Sequence, residues 1–142
     1  MKFVDMEQLL AKSGLAEQET VHLRKVNARL TQALELAGQH YSQLDVESVP
    51  SARLADQQMA KFQWHQAQKS ARKAVLAAVS QAALAWQDEH GAVAILPRQA
   101  AIAVSADADI TDDLADKLKS RKVVFSELPD VTITPPGQAV SH

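Results

Sequence analysis

The sequence predicts an α+β protein in which a small β-body carries a long antiparallel helical hairpin, a coiled-coil-like arm. Three observations predict it. The hydrophobic period changes twice: a short apolar strand at Lys2-Phe3-Val4-Asp5-Met6 gives way to a long helical tract, and strand patterning returns only after His90-Gly91, in Ala92-Val93-Ala94-Ile95-Leu96. Glycine and proline are scarce, with four and five in 142 residues, which leaves few turns and long elements. A lone strand is unstable in water, so the first strand is expected to pair with the later ones. The body strands are placed near 3–6, 92–96 and 100–104, with the helical arm, residues 15–90, projecting from them.

Taken in order, Glu7-Gln8-Leu9-Leu10-Ala11-Lys12 reads as a short helix stopped at Ser13-Gly14, because glycine supplies the left-handed conformation that closes a helix. A second helix starts near Leu15-Ala16-Glu17, with Glu17 and Glu19 near its positive end. Along it Leu23, Val26, Leu30, Ala33, Ala37, Tyr41 and Leu44 recur at alternating spacings of three and four, a continuous seam for a partner helix. Val46-Glu47-Ser48-Val49-Pro50-Ser51 is expected to be the far turn, with Pro50 biasing Val49 away from helix and Ser51 capping the next helix. Helix then resumes near Ala52 and runs to about Glu89. Its later half is Ala-rich, with Ala71, Val75, Ala78, Val79, Ala82 and Trp86 on one face.

The stretch Lys61-Phe62-Gln63-Trp64-His65-Gln66-Ala67-Gln68-Lys69-Ser70 is different: polar, basic, and bearing two large aromatics. Residues two apart on a helix point about 200° away from each other, so Phe62 and Trp64 cannot share one narrow seam. At least one is expected to face out beside Lys61 and Lys69. These four residues are the candidate binding site for a protein client.

Gly91 ends the helix. Pro97-Arg98-Gln99 turns the chain after the strand at 92–96, and Ala100–Val104 reads as the return strand of a hairpin. Thr111 is expected to cap a helix over 111–121, whose first turn carries Asp112 and Asp113 and whose end carries Lys119, Arg121 and Lys122. Lys122–Phe125 is a possible last strand. Residues 1–128 form a single domain on this reading, and 129–142, with Thr134-Pro135-Pro136-Gly137, are expected to be an extended or disordered tail.

Composition removes several function classes. The absence of cysteine excludes disulfides and thiolate chemistry, and a formal net charge of −2 gives no general attraction to nucleic acid. Asp107-Ala108-Asp109-Ile110-Thr111-Asp112 resembles the opening of a calcium loop but lacks its glycine and closing glutamate. The histidines, at 22, 40, 65, 90 and 142, form no helical ligand pair. With no Gly-rich phosphate cradle and no nucleophile elbow, the expectation is a protein-binding protein that is not an enzyme and uses no metal or cofactor. No stretch is long and apolar enough for direct membrane insertion. Charge segregates locally: Arg53, Lys61, Lys69, Arg72 and Lys73 make the arm basic, while Asp107, Asp109, Asp112, Asp113 and Asp116 make the base acidic.

The order of elements, the opening Lys2–Met6 with Leu9-Leu10, the run Gly91–Leu96 into Ala100–Val104, and above all Asp109-Ile110-Thr111-Asp112-Asp113-Leu114 resemble the Skp/OmpH family of trimeric periplasmic chaperones over most of residues 1–121. The resemblance implies a homotrimer with a β-body and three helical arms that hold unfolded outer-membrane proteins as a holdase. It also implies a periplasmic location, with a signal or anchor trimmed from upstream, since the opening residues carry no export signal. The arms are shorter than is usual in that family, and the mild acidity weighs against binding to lipopolysaccharide. The same core and the Asp109-Ile110-Thr111 string also resemble TrbI of F-type conjugative secretion systems. That likeness implies an envelope assembly factor for one defined partner.

Overall fold

The computed structural model describes residues 1–129. The chain is mostly helical and holds two short strands among the described residues. In order come β1 (Lys2–Val4), α1 (Met6–Lys12), α2 (Leu15–His40), two 3-10 turns at Tyr41–Gln43 and Val46–Ser48, α3 (Val49–His90), β2 (Ile95–Pro97), two further 3-10 turns, and α4 (Thr111–Leu118). Helices α2 and α3 make the expected long hairpin. The chain divides into two compact units, the first made of Met1–Val21 with Ala71–Phe125 and the second of His22–Ser70 with the residues from Ser126.

In the first unit β1 pairs with β2 in parallel, Phe3 opposite Leu96, and on its other side Phe3 bridges to Asp109. Parallel pairing needs a crossover that brings the chain back to the starting end of β1, and the helices between the two strands supply it. Helix α1 is capped by Asp5, whose carboxylate accepts from the Gln8 N–H at 3.1 Å, and Gly14 beyond its end sits at φ +81°. Leu9, Leu10, Leu15, Val75, Val79, Trp86, Ile110, Leu114 and Leu118 close over β1 as one core. The Trp86 ring stacks on His90 with centroids 4.0 Å apart, and Gly91, at φ +66°, ends α3 as expected.

In the second unit the seam of α2 lies where its spacing places it. Val26, Leu30, Ala33 and Ala37 are buried and Leu23, Tyr41 and Leu44 half-buried. The far end is pinned by the Tyr41 hydroxyl, which donates to Asp56 at 2.6 Å, with the Arg53 guanidinium 5.5 Å above the same ring.

Several expectations need correction. Pro50 does not lie in the turn; it stands in the first turn of α3, where its missing N–H costs no helical bond. The turn is instead made by the two 3-10 segments before it. The first strand is Lys2–Val4, because Asp5 is drawn off to cap α1. The second strand is Ile95–Pro97 rather than 92–96, because Ala94 supplies a carbonyl to Lys2 and the ladder starts there.

No return strand forms at 100–104. After Pro97 the chain enters a 3-10 turn at Arg98–Ala100, the Arg98 guanidinium donates to the Ala101 carbonyl at 2.9 Å, and Ile102 is left fully exposed. Helix α4 stops at Leu118, its last buried residue, rather than at 121. Thr111 is not its cap but its first residue. Lys122–Phe125 alternates exposed and half-buried positions as extended chain does, and belongs to neither helix nor strand. Of the expected tail only Pro129 is described; residues 130–142 lie outside the described part.

Candidate functional site

The four sequence-predicted residues all sit on α3 within the second unit. Phe62 is 59% exposed, Trp64 is half-buried, and Lys61 and Lys69 are exposed. The helical angle therefore separates the two aromatics as expected: Trp64 belongs to the packed side of α3 and Phe62 to the outside. Met59 and Leu54 are also exposed on this stretch, each at 55%. Neither Lys61 nor Lys69 forms an ion pair among the described residues.

Beside Phe62 the flank of the hairpin holds a cleft of about 330 Å³. Phe62, Gln63, Gln66, Ala67 and Ser70 of α3 form one wall, and His22 and Val26 of α2 another. Burial, and then Lys25, push the His22 ring below its ordinary pKa. The remaining wall is chain from beyond the first unit: Ser126, Glu127 and Pro129. The Ser126 and Ser70 hydroxyls share a hydrogen bond. Gln63 brings a buried amide oxygen that has no hydrogen-bond partner among the described residues, an acceptor that a bound N–H would satisfy.

Sequence reasoning placed at least one of Phe62 and Trp64 on the outside from helix geometry but missed this cleft. Its third wall comes from residues about sixty positions away, and no local pattern announces that. The one available signal was the two-residue alternation at Lys122–Phe125, which carries extended chain forward to Ser126.

The acidic base predicted from Asp107 to Asp116 belongs to the first unit, and Asp109 and Asp112 in it are committed to structural contacts. The Asp109 carboxylate accepts from the Thr111 hydroxyl and from its backbone N–H, the latter at 2.9 Å, and these bonds hold its pKa below the ordinary carboxylate value. The Thr111 hydroxyl in turn accepts from the Asp5 N–H at 3.0 Å, tying the start of α4 to the cap of α1. Lys12 pairs with Asp112 at 2.8 Å and the Lys2 ammonium donates to the Asp107 carbonyl at 3.0 Å.

Arg72, counted from the sequence with the basic arm, lies in the first unit and is committed to Glu19 in a two-pronged pair at 2.8 and 2.6 Å. Among the described residues no three His, Asp or Glu side chains gather as a metal-binding group, and no helix is long and apolar enough to cross a membrane. No family model, curated protein or solved structure matches this chain.

Proposed function

We propose that the protein is a holdase-type chaperone of the Skp/OmpH kind, a homotrimer that holds unfolded proteins between its helical hairpins in the periplasm. The observation that carries this reading is the exposed Phe62, with Met59 and Leu54 on the same stretch of α3, beside two cationic side chains that have no ion-pair partner among the described residues. Large apolar groups displayed on an otherwise polar helix give weak contacts that do not depend on the sequence bound, and lysine adds a screened attraction of longer range. Assembly is supported by the first unit. Its sheet has two strands among the described residues, and Val93 before β2 and Ile102 after it are exposed, so a neighbouring copy offers cover for an edge that is a liability in isolation.

The test has two parts. Light scattering should give three times the 15.4 kDa chain mass. The protein should also suppress aggregation of two unrelated substrates, reduced insulin and an unfolded outer-membrane β-barrel protein. Phe62→Ser should leave the mass intact and weaken capture about tenfold, the effect of losing most of one buried phenylalanine, with added salt weakening it further. A mass of one chain with no suppression overturns the reading. Suppression confined to a single partner replaces it with the TrbI-like assembly role.

A further inference from the structure

We propose that the flank cleft of the second unit is the seat of an extended, non-native chain segment, and that Ser126–Pro129 is a built-in strap that closes one side of it until such a segment displaces it. This deepens the holdase reading and rests on it. The strap carries no helix or strand, and its one hydrogen bond into the wall among the described residues is the Ser126–Ser70 hydroxyl pair. Extended polypeptide thus already lies there, held lightly.

The strap leaves the rest of the wall incompletely satisfied. The buried Gln63 amide oxygen has no partner among the described residues, and Pro129, which lines the same cleft, has no backbone N–H to give it. An incoming segment brings a backbone N–H at nearly every residue, so displacement gains a hydrogen bond that the strap does not make. Val26 and Ala67 accept apolar or small side chains, and Phe62 extends the apolar contact past the lip. Backbone donors and small apolar contacts are common to all unfolded proteins. The occupant is therefore defined by its extended, non-native state rather than by a sequence.

The chain contains no cysteine, so Ser70→Cys with Ser126→Cys installs a single reversible lock. The probe is fluorescently labelled, carboxymethylated α-lactalbumin, which stays unfolded, and the readout is its anisotropy on titration with the full chain. The oxidised variant should bind at least about tenfold more weakly than the same protein reduced. The reduced form should bind as tightly as the unaltered protein or more so, because thiols hydrogen-bond less well than hydroxyls. Gln66→Trp, which fills the cleft from an exposed position of α3, should lose binding to the same degree whether or not reductant is present. Equal affinity in the locked and unlocked forms, or full binding by Gln66→Trp with its helicity intact, overturns the cleft and leaves the holdase reading standing. Failure of the unaltered protein to bind the probe removes the holdase reading and the cleft's role together, a result that cannot be confused with the first.

Discussion

Each unit contains a length of both long helices, and the two bury them by different means. In the first, side chains from α1, α2, α3, α4 and β1 meet, and Leu9, Leu15, Leu114, Leu118 and Val75 are almost wholly enclosed. In the second, α2 buries Val26, Leu30, Ala33 and Ala37, but no residue of α3 between Val49 and Ser70 is fully buried; Ala52, Asp56, Ala60, Trp64 and Ala67 reach only half-burial. A core enclosed by five elements excludes water from all sides. A seam between two helices is covered on one side and wet at its margins. Stability therefore concentrates in the first unit, and the second leaves Leu54, Met59 and Phe62 exposed.

The sharpest way to break this comparison is a matched pair of substitutions. Leu114→Ala removes the same atoms as Leu30→Ala, but its site is walled by elements that cannot all move in, so its cost should fall near the top of the roughly 2–5 kcal/mol range for such changes. Leu30→Ala should fall near the bottom, because the helices can close on the gap or water can enter it. Thermal or denaturant unfolding measures both, and equal losses would show that the seam is as tightly enclosed as the core.

A smaller effect is expected at Thr111→Val, which keeps the shape and removes the hydroxyl. The Asp5 N–H then has no acceptor, and the loss should be about 1–2 kcal/mol, with faster hydrogen exchange at the Asp5 amide than at amides of α3 in the second unit. Unchanged exchange there would mean that the tie between α1 and α4 is not a determinant of the first unit.

The smallest effect is in pH. The Asp109 carboxyl is held below its ordinary value by hydrogen bonds from Thr111. Its stabilising contribution is therefore complete above the unfolded value of about 3.9 and is lost as pH falls through the lower folded value. Asp109→Asn should flatten the stability profile below about pH 4 and leave its slope above about pH 5 unchanged. If the profile keeps its acid slope, other carboxylates carry it; Glu89, held down by the hydrogen bond from Lys117, is the next to replace.

The seam, the Ala71–Trp86 face, the glycine stops and the separation of Phe62 from Trp64 were all legible in the sequence. Each depends only on the 3.6-residue period or on the backbone freedom of one residue, and those are properties of the chain itself. Pro50 was misplaced because proline favours a turn and the first turn of a helix almost equally. The spacing around it does not say which. Thr111 looked like a cap because threonine before two aspartates is a capping pattern, but its hydroxyl is spent on Asp5, about a hundred residues earlier.

Sequence alone determined which faces of α2 and α3 are apolar and that α1 and α3 stop at Gly14 and Gly91. Tertiary structure alone decided that Ala100–Val104 stays out of the sheet, that Arg72 is committed to Glu19, and that Ser126–Pro129 returns to line a cleft against Ser70 and Gln63. The difference is physical. Local periodicity is fixed by bond geometry over a few residues, whereas pairing across fifty or a hundred residues is chosen among many available partners by which arrangement leaves the fewest buried polar groups unsatisfied.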